Sequence, residues 1–185
     1  MIKDLLKDAE HRMQGAIKSL TEDMAAIRTG RANPGLVEKM SISYYDTPTP
    51  LMQLASISVP EPRALLIKPF DASTLKDIEK AILASDLGLT PNSDGKVIHL
   101  NLPPLTEERR RDLAKLVHAR LEEARVAVRN IRRDSHNDMR DFEKEKLISE
   151  DDLKSGEDSL QKLTDGFIEE VADLGRKKEA EIMEV

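Results

Sequence analysis

The chain has 185 residues, of which 39% are apolar, 35% charged and only 3% aromatic, with no Trp; this mix disfavours an all-β sandwich and suits long amphipathic helices in one or two domains. Cysteine is absent, which excludes disulfides and thiolate zinc sites. The formal net charge of −6 conceals a basic stretch: residues 106–133 hold nine Lys/Arg against five Asp/Glu, whereas residues 149–185 hold five against twelve.

The opening residues, MIKDLLKDAEH, carry charges where a secretory leader needs an apolar run. No apolar run approaches the ~20 residues of a membrane span, so a soluble cytoplasmic protein without membrane contact is expected. Over residues 2–28, Leu6, Ala9, Met13, Ile17, Leu20, Met24 and Ile27 recur at steps of three and four, the seam of a bundle helix. TGRANPG (29–35) supplies two Gly and a Pro and stops it.

From residue 36 the period changes. Met40, Ile42 and Tyr44 alternate as in a strand, DTPTP (46–50) reads as a turn, and LASISV (54–59) and ALLIK (64–68) are further strands. Ser73 is placed to cap a short helix over 74–84, with Ile78, Ala81 and Ile82 on one face. TPNSDGK (90–96) reads as a hairpin-type loop before the alternating Ile98, Leu100 and Leu102. The prolines of LPPLTEERR (102–110) end this unit. Thr106 then caps a long helix with Glu107 and Glu108 at its positive end.

In that helix Leu113, Val117, Leu121, Ala124, Val128, Ile131 and Phe142 keep an apolar stripe to about residue 146. Ser149 with three following acids starts a third helix, whose seam is Leu153, Leu160, Leu163, Phe167, Val171, Leu174 and Ile182. Gly166 and Gly175 fall inside it, each costing roughly 1 kcal/mol relative to Ala, so its second half is expected to be less rigid. Three single-stripe helices must bury one another. The predicted class is α+β: an elongated three-helix bundle from 1–29 and 106–185 with a small β/α/β domain, 30–105, inserted in it. The joints at 29–35 and 102–105, with Thr29, Gly30, Arg31, Pro103, Pro104 and Leu105, read as hinges between arms set in an L or a V.

Arg125, Arg129, Arg132, His136 and Arg140 are spaced as one helical ridge, and Arg133 widens it. Their register differs from that of the apolar stripe, so they lie beside it or away from it. One reading is a solvated face paired with acids of the third helix. The other is a polyanion site: no Lys occurs between 116 and 143, Arg suits bidentate phosphate contact, and Ala127, Asn130 and Ser135 between the arginines are short. Arg28 and Arg31 flank Thr29-Gly30, with Arg109, Arg110 and Arg111 at the start of the next helix. Tyr44 and Tyr45 are adjacent, so a row of stacking platforms for single-stranded bases is missing. RNA contact would therefore be to phosphates and folded shape.

Nucleophile elbows, Walker A loops, GxGxxG and HExxH are absent, and the four histidines are scattered. No enzyme, cofactor or metal site is expected. SEDD (149–152) is explained by helix capping.

IRTGRANP (27–34), YYDTPTPLMQLA (44–55), ASDLGLTPNSDG (84–95), LPPLTEERR (102–110), ARVAVRNIRRD (124–134) and ISEDD (148–152), in that order, resemble the bacterial ribosome recycling factor family over essentially the whole chain. The resemblance implies an L-shaped three-helix bundle plus β/α/β domain and a non-enzymatic, monomeric translation factor. Such a factor binds the large ribosomal subunit and its 23S ribosomal RNA. With elongation factor G and GTP it splits post-termination ribosomes into subunits. It also implies that Arg132, Arg129, Arg133, Arg28 and Arg31 meet the RNA, with Arg125 added from the ridge. Ser135-His136 departs from the Ala and Asn common in the family and leaves the role of His136 open. The alternative class is an elongated coiled-coil adaptor or chaperone whose arginines meet an acidic protein.

Overall fold

A computed structural model describes residues 1–184. It divides into two compact units, Met1–Thr29 with Thr106–Val185, and Gly30–Leu105.

The first unit is built from three helices, α1 (Ile2–Ala26), α4 (Glu107–Lys144) and α5 (Glu150–Met183), each packed on the other two. At about 1.5 Å per residue, the 38 residues of α4 make a rod roughly 57 Å long. The termini are chemically explicit. The Thr106 hydroxyl accepts the Arg109 N–H at 3.2 Å at the start of α4. Ser149 and Asp152 form a reciprocal capping box at the start of α5. Between them α4 closes with a Schellman pattern, Lys146 N–H to the Glu143 carbonyl and Leu147 N–H to that of Phe142, both 2.9 Å. Lys146 holds the left-handed position usually given to glycine, at φ 57°.

Ala9, Met13, Val128, Ile131, Met139, Leu160 and Phe167 form one buried cluster of this core, flanked by Leu6, Ile17, Leu153 and Leu163. Residue Ile27 is buried but extended, so α1 ends two residues before the expected boundary. The glycines of α5 do not interrupt it. A Cβ at Gly175 would lie 2.5 Å from Leu121 Cδ1, so the missing side chain lets α5 approach α4 closely. At Gly166 nothing stands within 4 Å. The expectation of a loosened second half is thus replaced by one continuous helix, in which close packing offsets the propensity cost at Gly175.

The second unit holds a two-stranded ribbon and a four-stranded antiparallel sheet. The ribbon pairs β1 (Ser41–Tyr44) with β2 (Thr47–Pro50). A single turn α2 (Leu51–Leu54) leads to β3 (Ala55–Glu61), β4 (Ala64–Pro69), α3 (Leu75–Ala84), β5 (Pro91–Ser93) and β6 (Ile98–Asn101), with sheet order β3-β4-β6-β5. Alternate residues of β4 and β6, Leu65, Ile67, Ile98 and Leu100, are buried with Ile78 and Ile82 of α3, Ile42 of β1 and Leu51 of α2.

Three local expectations are corrected here. TPTP is a strand, and the turn is Tyr45-Asp46, both at positive φ. Pro48 and Pro50 stand opposite Ser43 and Ser41, alternate positions whose N–H would point away from β1, so no ladder bond is lost. The cap near α3 is Asp71, which accepts the Ser73 N–H at 3.0 Å, not Ser73 itself. Part of the TPNSDGK segment is β5, and the turn after it is held by Asp94, which accepts from Lys96 and Val97.

Candidate nucleic-acid interface

The ridge residues take their direction from the α4 seam. Leu121, Ala124, Val128, Ile131, Ser135 and Met139 are buried. Each residue one position later lies about 100° further round the helix, and these are Glu122, Arg125, Arg129, Arg132, His136 and Arg140. This flank borders α5: Arg132 Nη1 donates to Gln161 Oε1 at 3.0 Å, and His136 Nε2 lies 2.9 Å from Glu157 Oε1. The residues one position earlier are Arg120, Glu123, Ala127, Asn130, Asp134 and Asp138. That flank borders α1: Asp134 meets Arg12 at 3.1 Å, and Arg120 and Glu123 line a shallow groove with Ala16, Ser19 and Asp23. One side of α4 thus carries four arginines and a histidine against one glutamate, the other a single arginine against three acids.

The arginines on the basic side are not equivalent. Glu122 holds two of them, Arg129 at 2.6 Å and Arg125 at 3.4 Å. The hydrogen bond from Arg129, then its charge and the contact from Arg125, keep the Glu122 carboxyl below its ordinary range. Arg125 is the more covered of the pair, with its side chain 30% exposed. Arg132 is exposed and, among the described residues, held only by a neutral amide. Arg133, two positions after Ile131, points outward beside this flank. Arg133 and Arg140 are exposed and reach no partner among the described residues. Among the described residues, the hydrogen bonds and ion pairs of the ridge arginines include none to an α5 carboxylate. Pairing with the acids of the third helix, the bland expectation for this face, falls among the described residues to histidines: His136 meets Glu157, and nearer the start of α4, on the same flank, His118 meets Glu179 at 3.1 Å.

Arg28 lies elsewhere. It is exposed beyond the end of α1, near the start of α4, where Arg110 donates to the Met183 carbonyl and Arg111 to Glu107. From that end of the bundle to Arg132 is roughly 30 Å at about 1.5 Å per residue. Arg31 belongs to the other unit, where it is exposed but not without partners. Of the expected RNA-facing residues, Arg125, Arg129, Arg132 and Arg133 thus share one helix, Arg28 follows α1 within the same unit, and Arg31 belongs to the other unit.

Sequence reasoning missed two residues. Glu122 was legible in principle, because it sits three and seven positions before Arg125 and Arg129. Gln161 was not, because its role needs the register of α5 on α4. It also resolves what His136 does: it bridges α4 to α5 one turn beyond Arg132. Tyr44 and Tyr45 meet edge to face at 4.6 Å at the tip of the β1–β2 ribbon, and Tyr45 is exposed. No group of metal-ligating side chains occurs among the described residues, and no helix among them is long and apolar enough to cross a membrane.

Comparison with known proteins gives a consistent result. Residues 20–183 match the family model described as "Ribosome recycling factor". Curated ribosome-recycling factors from Geobacillus kaustophilus and Syntrophomonas wolfei are 55% and 56% identical, and each alignment covers all of both chains. A solution structure of the ribosome recycling factor aligns with a TM-score of 0.72 and 44% identity, covering 100% of this chain and 98% of that one. The T. thermophilus ribosome recycling factor, described with E. coli elongation factor G bound to the E. coli post-termination complex, aligns over 100% of both chains at 43% identity and a TM-score of 0.64.

Proposed function

The chain belongs to the ribosome recycling factor family, and on that premise we propose that it frees ribosomes after termination by binding the large subunit and, with elongation factor G and GTP, splitting the post-termination complex. The basic flank of α4 is the anchor. Arg132 and Arg133 meet phosphates of 23S ribosomal RNA directly, and Arg129 and Arg125 join when Glu122 releases them. Arg28 and Arg31 make separate contacts. The single observation that supports this reading is the sidedness of α4, with exposed guanidinium groups gathered on the α5 side and acids on the α1 side. Arginine is the residue whose planar fork fits phosphate.

The bundle supplies stiffness, through continuous helices locked by caps and by the glycine contact at Leu121. The segments joining the units, with Thr29, Gly30, Arg31, Pro103, Pro104 and Leu105, act as a hinge. Gly30 takes φ 75°, and Leu105 packs 3.2 Å from where its Cβ would be, so only glycine suits that position. Elongation factor G pushes the small domain and hydrolyses GTP. The protein itself is a non-catalytic cytoplasmic factor that transmits the push from hinge to anchor.

The test is direct. Purified protein added with elongation factor G and GTP to post-termination ribosomes should separate them into subunits, read by light scattering or sedimentation. Intact ribosomes under those conditions would overturn the reading.

A further inference from the structure

The charged and polar groups around Arg132 form a chain with one direction. Arg132 Nη1 donates to Gln161 Oε1 at 3.0 Å, and Gln161 Nε2 donates to Asp165 Oδ1 at 2.8 Å. A carboxylate only accepts and a guanidinium only donates. Asp165 therefore draws the NH₂ end of the amide, which leaves the carbonyl end for Arg132. The arrangement contrasts with the neighbouring turn of α4, where Glu122 neutralises Arg129 at 2.6 Å.

We propose that Gln161 is the positioning residue for Arg132: its amide, oriented by Asp165, holds the guanidinium across the α4–α5 groove while leaving the positive charge unspent for a phosphate of ribosomal RNA. The inference rests on the reading of Arg132 as an anchor. A guanidinium has several N–H donors, and one bond to Gln161 leaves the others for bidentate phosphate contact. The hold also lowers the cost of ordering a long, rotamer-rich side chain at the moment of binding. A carboxylate at the same place would hold Arg132 equally well but cancel its charge. The amide is thus the chemistry that separates orientation from neutralisation.

The experiment uses the full-length protein and isolated large ribosomal subunits, with affinity measured across a salt series. Gln161→Ala should weaken binding about two- to fivefold, the scale of an exposed polar pair, without changing the slope of log affinity against log salt, because no phosphate contact is lost. Gln161→Glu should approach Arg132→Ala, both in affinity and in a slope reduced by about one phosphate contact. In an Arg132→Ala background, Gln161→Ala should have no further effect. Were Gln161 only a stabiliser of the bundle, Gln161→Glu would keep the parent's salt slope, and helical content by circular dichroism should be the same in all variants.

The outcomes separate. If Arg132→Ala weakens binding while both Gln161 variants match the parent, the positioning role is wrong and the anchor stands. If Gln161→Ala costs as much without Arg132 as with it, Gln161 acts by another route and the proposal is likewise wrong. If Arg132→Ala binds as the parent does, the anchor reading itself falls, and this inference with it.

Discussion

The two flanks of α4 are made from the same helix, one residue to either side of the same buried seam, yet they are built for opposite company. On the α1 side, Asp134 takes Arg12 and Glu123 takes Arg120, so two of the three acids are paired within the bundle. On the α5 side, cations outnumber acids, and Arg133 and Arg140 are left without partners among the described residues. The difference teaches that net charge is a poor guide to partners in a rod-like protein. A chain of formal charge −6 presents a basic rail because a helix sorts its residues by angle, not by sequence average.

The sharpest way to break the comparison is to reverse a charge on each flank. Arg132→Glu should lower affinity for the large subunit about 100-fold, or roughly 2.7 kcal/mol, by losing a charge-assisted phosphate contact. Asp134→Ala, on the opposite flank, should leave that affinity unchanged. Equal losses from the two substitutions, measured by subunit pelleting, would erase the distinction between flanks.

The next effect concerns what keeps α5 against the basic side. Gly175→Ala forces a methyl group against the buried Leu121 and should cost about 1–3 kcal/mol of stability, read as a lower midpoint in urea. Gly166→Ala, in the same helix but facing open space, should raise stability by about 0.5–1 kcal/mol. The same substitution is thus expected to act with opposite signs at two glycines nine positions apart.

A smaller change should come from releasing the arginines that Glu122 holds. Glu122→Gln should raise affinity for the large subunit about two- to fivefold, the scale of an exposed ion pair, if Arg125 and Arg129 belong to the rail. Unchanged or weaker binding would confine the rail to Arg132 and Arg133. The smallest effect is in pH. The carboxyls of Glu122, held chiefly by the Arg129 hydrogen bond, and Asp152, held chiefly by Ser149, lie below their ordinary values. A depressed carboxyl contributes stability that is fully present above its unfolded pKa and is lost as pH falls through the lower folded value. These two groups should therefore leave stability flat from neutrality down to about pH 5 and weaken the bundle only below about pH 4, as followed by circular dichroism.

The helices of the bundle were legible because their signals are local: a stripe at steps of three and four, Thr106 and Ser149 before acids, glycine and proline at the breaks. The β1–β2 ribbon was misread because proline usually marks a turn. Only the register shows that Pro48 and Pro50 occupy positions that need no donor. Gly175 looked like a weak point for the same reason, since its value lies in Leu121, 54 positions away in sequence. Within the candidate site the arginines were legible from spacing, whereas their inequality was not. That inequality depends on one acid within α4 and one amide on α5, and the second is set by how two helices slide against each other.

The central claim is that the basic flank of α4 grips RNA through its phosphates. Its most direct test is the affinity of the unaltered protein for isolated large subunits as salt is raised. Several phosphate contacts predict a steep linear fall of log affinity with log salt, as counterions are released; a flat response would contradict the claim and point to a protein surface as the partner of the rail.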